Sequence, residues 1–93
     1  MRDTIHKFPL ANPGGVSAVW MPDNANIIKA ADQEGVLCLW AEVDSSDAAL
    51  GVRLFHVVGT GQRLPNGNIQ YIDTVVVPPY VWHIYEFLGK GVA

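Results

Sequence analysis

Three histidines are the residues of this 93-residue chain that could serve acid–base catalysis or bind a metal ion. His6, His56 and His83 lie in three separate apolar runs, and no two of them have the spacing of a ligand pair. His83 and Glu86 are three residues apart, so on a strand their side chains point to opposite faces. A catalytic or metal site would need these residues to converge in three dimensions. Half-buried strand histidines with ordinary partners are the simpler interpretation.

The single cysteine and the serines offer no obvious nucleophile. Cys38 lies between two leucines in a long apolar run, which is typical of a buried, inert thiol. One cysteine cannot form an internal disulfide, and the chain has no zinc-binding motif. No serine lies in a GxSxG nucleophile elbow. The sequence therefore predicts a protein that is not an enzyme and that uses no metal and no cofactor.

A glycine-rich segment that follows an apolar run is the best candidate for ligand binding. Glycines let backbone N–H groups converge on an anion, and a nearby arginine can pair with a phosphate or a carboxylate. We therefore name Gly59, Thr60, Gly61 and Arg63 as candidate residues for a small anionic, nucleotide-like ligand. A turn that requires glycine explains the segment equally well, and the P-loop and dinucleotide-binding patterns are both absent.

The last apolar run, residues 80–87, suggests an interface. At alternate positions it presents apolar or aromatic side chains to both faces of a strand. One face belongs in the core, and the other needs a partner subunit or a ligand, unless the strand lies inside a sheet. Because interfaces favour tryptophan and tyrosine, the candidate interface residues are Tyr80, Trp82, His83 and Tyr85.

The elements that must position these residues follow a period of two rather than 3.6. Turn signals recur every ~8–12 residues, as in small all-β domains. The chain is therefore expected to form one all-β domain over residues 1–93, a compact antiparallel sandwich or small open barrel of about seven short strands. The predicted strands are 4–10, 16–21, 27–31, 36–43, 52–58, 69–77 and 80–87.

The remaining expectations concern connections and ends. Run 36–43 is apolar on both faces, so it should be a central strand. Sequential hairpins should join the strands, and the longer connections 44–51 and 59–68 are the places where strands could change sheets. A short helical turn could form at 47–50, and residues 89–93 should be a flexible tail.

Composition limits the partners of this chain. Hydrophobic residues make up 49% of it and charged residues 16%, against about 25% charged in typical domains. These values exclude disorder and a coiled coil. The net charge is −3 and the six basic residues are scattered, so nucleic-acid binding is unexpected. No run approaches the ~20 apolar residues of a membrane helix. A charge-poor surface on so small a domain predicts burial against another chain, and hence a homo-oligomer.

Five segments, in order, resemble those of a small uncharacterised family of bacteriophage and prophage proteins. They are residues 5–10, 36–44, 56–61, 71–75 and 81–86. The resemblance implies action in the host cytoplasm, where such proteins antagonise a host defence or regulatory factor or sequester a small signalling molecule. The alternative it implies is a structural or assembly protein of the phage particle.

Overall fold

A computed structural model describes residues 1–11, 13–46 and 50–89, which form seven antiparallel strands. No helix occurs in this part of the chain, and so none that could cross a membrane. The strands are β1 (Thr4–Pro9), β2 (Val16–Met21), β3 (Asn26–Gln33), β4 (Val36–Val43), β5 (Gly51–Gly59), β6 (Ile69–Val77) and β7 (Tyr80–Phe87). The all-β prediction is confirmed. The helical turn expected at 47–50 and the tail expected at 89–93 lie largely outside the described residues.

Two tight turns are set by local sequence. Glu34 and Gly35 join β3 to β4 and have φ values of 53° and 86°. A two-residue hairpin loop with two positive φ angles matches the twist of its strands, and glycine adopts that conformation without strain. Pro78 and Pro79, linked by a cis peptide bond, join β6 to β7.

The strands form a three-stranded sheet in the order β1-β4-β3 and a four-stranded sheet in the order β2-β5-β7-β6. The expectation of sequential hairpins is therefore wrong, because among the described strands only β3–β4 and β6–β7 are neighbours in sequence that pair. Connection 44–51 does change sheets, as predicted, whereas 59–68 returns to the same sheet beyond β7. Strands β4 and β7, which are apolar on both faces, each lie between two other strands of their sheet.

The core lies between the two sheets. Leu39 from β4 and Phe55, Val57 and Ile84 from the other sheet are fully buried there. Each such side chain contributes roughly 1.5–3 kcal/mol through burial of its apolar surface. The two sheets are not hydrogen-bonded into one continuous ladder, so the fold is a sandwich rather than a closed barrel.

On one side of the sandwich, a carboxylate accepts hydrogen bonds from the edge strands of both sheets. Strands β3 and β6 run side by side, each with a bulge, and Asp73 lies between them. Its Oδ2 accepts a hydrogen bond from the Ala30 N–H at 3.0 Å, and its Oδ1 accepts one from the Thr74 N–H at 2.8 Å. Asp73 thus satisfies outward backbone donors of both strands. On the opposite side, β1 and β2 are the edges of their sheets.

Candidate functional site

The outer face of the four-stranded sheet carries no Asp, Glu, Lys or Arg. The strand registers assign its residues, because partners in an antiparallel pair share a face and the face alternates along each strand. We call this surface the neutral face. Its residues are Val16, Ala18, Trp20, Val52, Leu54, His56, Val58, Ile69, Tyr71, Thr74, Val76, Val81, His83, Tyr85 and Phe87.

Several large side chains of the neutral face are open to solvent. Trp20 is 66% exposed and Val76 is 64% exposed, and these two residues lie on the opposite edge strands β2 and β6. Between them, Leu54 on β5 is 41% exposed. The exposed apolar surface therefore extends across the sheet from edge to edge. Exposed apolar areas of this kind are a common feature of interaction surfaces.

The outer face of the three-stranded sheet differs in charge. It carries Lys7, Lys29 and Glu42, and two polar contacts cross it. The Lys7 ammonium donates to Gln33 Oε1 at 2.6 Å, and an asparagine amide donates to a Glu42 carboxylate oxygen at 2.9 Å. Trp40 lies half-buried on this face. The absence of charge is thus a property of one sheet and not of the whole surface.

A row of neutral polar groups joined by hydrogen bonds lies on the neutral face. The two ring nitrogens of His83 lie 2.8 Å from Thr60 Oγ1 and 3.1 Å from Thr74 Oγ1. Thr74 Oγ1 in turn lies 2.6 Å from the Tyr71 hydroxyl. Since these groups satisfy one another, they need little from solvent and can be covered at low cost. Among the described residues no carboxylate takes part in the row, and both ring nitrogens of His83 face hydroxyl oxygens rather than an acid that would orient the ring as a base.

His56 carries an unpaired buried nitrogen. Its Nδ1 is the one buried side-chain nitrogen or oxygen without a hydrogen-bond partner in the described part of the chain. The ring packs near Phe87, with 6.0 Å between the ring centroids. His6 lies on the other sheet, so the three histidines do not come together. Among the residues that the structure describes, no group of three His, Cys, Asp or Glu side chains could hold a metal ion.

The structure divides the four residues named as an interface into two pairs. His83 and Tyr85 lie on the neutral face, where the Tyr85 ring meets Tyr71 edge to face at 5.7 Å. Tyr80 and Trp82 share the opposite face of β7, and their rings stack at 5.3 Å at one end of the sandwich. Tyr80 is 57% exposed, whereas Trp82 packs against the core. Sequence alternation correctly predicts this division, but it does not reveal which pair faces solvent.

The segment from Gly59 to Arg63 forms a glycine-dependent turn. The Gln62 N–H donates to the Gly59 carbonyl at 3.0 Å, and Gly61 has a φ of 92° at the third position of that turn. The Gly59 N–H donates to the Gln62 side chain at 2.6 Å, and the Thr60 N–H donates to a β7 carbonyl at 3.3 Å. Two of the backbone donors expected to meet an anion are therefore engaged inside the protein.

The same turn borders a small pocket. Gly59 and Thr60 line it together with Tyr80 and Trp82, and its volume is about 360 Å³. A side chain at position 59 would press on the Trp82 ring, because a Cβ there would lie 3.3 Å from it. Arg63 is exposed and does not line the pocket. The structure thus brings two residues of the predicted ligand site next to two residues of the predicted interface. Arg63, the predicted anion partner, lies outside this pocket.

A buried ion pair at the other end of the sandwich was not predicted from the sequence. Arg53 donates from Nε and one terminal nitrogen to the two Glu86 oxygens at 2.6 and 2.8 Å. Its other terminal nitrogen donates to the Ala25 carbonyl at 2.7 Å. The pair lines an open groove of about 910 Å³ together with Val52 and Leu54. Nothing in the local sequence around either residue signals this pairing, since they are 33 positions apart.

Comparison with known proteins adds a family. The domain family described as a domain of unknown function, DUF7352, matches residues 1–90, which include all seven strands. No curated protein and no solved structure matches the chain.

Proposed function

Because the chain belongs to DUF7352, a domain family of unknown function, we propose its role from its surface: it is a small non-enzymatic binding protein that works as a homo-oligomer. The neutral face is the surface through which two copies associate. One observation carries this proposal, namely a whole sheet face that is apolar, partly exposed and free of formal charge.

The size of the neutral face fits a small protein interface. Four strands about 4.8 Å apart and about eight residues of 3.3 Å each give roughly 500 Å² in projection. The largest apolar patch of a typical monomer is already about 300–600 Å², and a standard interface buries about 800 Å² on each partner, including its polar rim. The face is therefore large enough for the apolar centre of a dimer interface.

A second copy is the partner that a neutral surface suits best. In a two-fold interface the same patch meets itself, so a charge near the axis would face its own like charge. The neutral face has no such charge, although the chain as a whole has a net charge of −3. An interface with a different protein gains specificity from complementary charges, which this face does not offer.

Analytical ultracentrifugation of matched lysine variants tests the proposal. Val76→Lys and Leu54→Lys each place a charge on the neutral face, and Ile5→Lys does the same on the other sheet, where Ile5 is 53% exposed. We expect the wild-type protein and Ile5→Lys to share a mass above the 10.1 kDa of one chain, and the two neutral-face variants to have a lower mass. A wild-type monomer at tens of micromolar, or an unchanged mass in both variants, would overturn it.

We further propose that this oligomer antagonises a host defence or regulatory factor in the host cytoplasm. The support is the resemblance of five segments to bacteriophage and prophage proteins. A phage that a host defence restricts should form plaques more efficiently on bacteria that express the wild-type chain than on bacteria that express Val76→Lys. Equal plating for both would contradict this role. Recovery of the protein in purified phage particles by mass spectrometry would favour the alternative, a structural or assembly protein of the particle.

A small anionic, nucleotide-like ligand is a second candidate, favoured by the pocket where Gly59 and Thr60 meet the rings of Tyr80 and Trp82. A ligand there could stack on the exposed Tyr80 ring and place its anionic group toward the turn. Calorimetric titration with a panel of cyclic and linear nucleotides tests it, with Tyr80→Ala as the variant expected to weaken binding, because Tyr80 lines the pocket. No heat of binding from any nucleotide would remove this candidate.

A further inference from the structure

We propose that association of two copies through the neutral face is controlled by pH, and that a proton on His56 separates them. This inference rests on the homo-oligomer proposed above and names the regulation of the same surface. The neutral face has two histidines, His56 and His83, and no Asp, Glu, Lys or Arg. Histidine is the one side chain whose ordinary charge change falls between pH 5 and pH 8. The face is therefore uncharged only while both rings are neutral.

The ring of His56 is half-buried in the middle of the four-stranded sheet. On β5 it lies opposite Tyr85 of β7, and its centroid is 6.0 Å from that of the Phe87 ring. Its Nδ1 is buried and has no hydrogen-bond partner. Its Nε2 also has no partner among the described residues, but it is not buried and so is open to water in a single copy. A single copy can therefore hydrate a protonated ring through Nε2 alone.

A second copy that covers the neutral face removes this water. An imidazolium has an N–H at both ring nitrogens, and once His56 is covered neither N–H has an acceptor in the described part of its own chain. In a two-fold interface the charge also faces the same charge on the second copy. A buried charge without a partner is strongly disfavoured, whereas a neutral ring is covered at a much lower cost in free energy. Association and protonation of His56 therefore oppose each other.

The second histidine of the face, His83, tolerates a proton better. Its two ring nitrogens lie 2.8 Å from Thr60 Oγ1 and 3.1 Å from Thr74 Oγ1. Hydroxyl groups rotate and can accept a hydrogen bond, so a protonated His83 donates to both threonines within contacts that already exist. These acceptors belong to its own chain and remain when a second copy is present. The buried, unpaired Nδ1 thus distinguishes His56 as the histidine whose charged form opposes association.

No acidic group on the neutral face can balance a charged imidazole. Strand β2 contributes no titratable side chain to this face, β6 contributes Tyr71, and β7 contributes His83 and Tyr85. Tyrosine is uncharged where histidine titrates, and a second protonated histidine repels the first. On the reverse side of β5 and β7, Arg53 and Glu86 bind each other through two hydrogen bonds. Among the described residues, the face therefore has no counter-ion for such a proton.

Protonation of His56 makes association weaken as the pH falls. Two separate copies bind up to two more protons at this position than an associated pair, and each proton lost on association changes the association constant by up to about tenfold per pH unit. The overall charge acts in the opposite sense. The net charge of −3 diminishes toward the pI of about 5.4, and weaker repulsion between copies favours association. Weaker association at lower pH therefore identifies a local proton and not the overall charge.

Analytical ultracentrifugation at about pH 7.5 and about pH 6, at equal ionic strength, tests the proposal. We expect the association constant of the wild-type protein to be about tenfold lower at the lower pH. His56→Gln keeps a polar side chain that takes up no proton, so its constant should be nearly the same at both pH values. His6→Gln is the matched control, since His6 is exposed on the other sheet, and it should retain the wild-type fall. Far-UV circular dichroism confirms that both variants are folded at each pH.

Dilution calorimetry supplies a measurement that needs no variant. The wild-type protein is diluted at about pH 6 in two buffers with different heats of ionisation. Separating copies take up protons from the buffer, so the heat of dissociation should differ between the two buffers. Equal heats would show that dissociation takes up no proton and would overturn the proposal.

The outcomes distinguish pH control from the association on which it rests. A wild-type oligomer with the same association constant at both pH values overturns pH control and leaves association standing. A full wild-type fall in His56→Gln overturns the role of His56, and loss of the fall in His83→Gln alone would assign the proton to His83. A wild-type monomer at both pH values overturns both proposals.

Discussion

Replacing Arg53 by methionine should remove a large part of the stability of this domain. The side chains of Arg53 and Glu86 are 18% and 8% exposed, and the guanidinium donates three hydrogen bonds of 2.6 to 2.8 Å. Arg53→Met leaves the Glu86 carboxylate buried without its cation and the Ala25 carbonyl without its donor. Breaking a buried pair by removing one partner costs about 3–5 kcal/mol of unfolding free energy.

Urea unfolding at pH 7, followed by tryptophan fluorescence at one fixed protein concentration, measures this loss. For a domain of this size each molar of urea lowers the unfolding free energy by about 1–1.5 kcal/mol, so a loss of about 3–5 kcal/mol should lower the midpoint by about 2–5 M. Arg63→Met is the control, because Arg63 is exposed and its replacement should change the free energy by no more than about 0.5 kcal/mol.

The double variant Arg53→Met, Glu86→Leu distinguishes the cost of an unpaired buried carboxylate from the cost of lost packing. It removes both charges, so most of the lost stability should return, since apolar residues often replace a buried ion pair at little cost. A single-variant loss below about 1 kcal/mol would refute the assignment of Arg53 as the partner that keeps Glu86 buried. A double variant as unstable as the single one would show that the lost stability comes from packing and not from the unpaired carboxylate.

Three further outcomes are expected. Asp73→Ala should lower the unfolding free energy measured in urea by about 1–3 kcal/mol, because it leaves outward N–H groups of β3 and β6 without an acceptor. The control is Asp32→Ala, at an exposed position, and a smaller loss for Asp73→Ala than for this control would contradict the role of Asp73. Gly61→Ala should cost about 1 kcal/mol, since its φ of 92° disfavours a side chain; an unchanged midpoint would argue against the turn. Hydrogen bonds from Ser46 lower the pKa of Asp44 from 3.8 to about 2, and the N-terminal ammonium adds to the effect. The contribution of ionised Asp44 to stability is therefore present above about pH 4 and is lost as the pH falls toward 2. A carboxyl NMR titration of Ser46→Ala should show that pKa higher, and a value that stays near 2 would refute the cause.

Local features of the fold follow from the sequence. Residues 36–43 are apolar on both faces of a strand, which predicts a central strand, and β4 is central. Residues 32–35 predict a tight hairpin in which Gly35 has a positive φ, and the hairpin forms with Glu34 and Gly35 as its two loop residues. The glycines at positions 59 and 61 fit either an anion site or a glycine-dependent turn, and the hydrogen bonds of the segment agree with the turn. Such properties depend on dihedral preferences and alternation within a few residues.

Properties that join distant parts of the chain were decided only by the tertiary structure. Sequence alternation shows that residues 80–87 are apolar on both faces, but it does not place β7 between β5 and β6. The neutral face combines alternate residues of four strands, and their shared lack of charge becomes visible only once the strand order and registers are known. The pairing of Arg53 with Glu86 and the contacts of Asp73 with two edges are of the same kind. The physical reason is that strand pairing is set by which faces pack best against each other across the core, and that choice involves residues far apart in sequence.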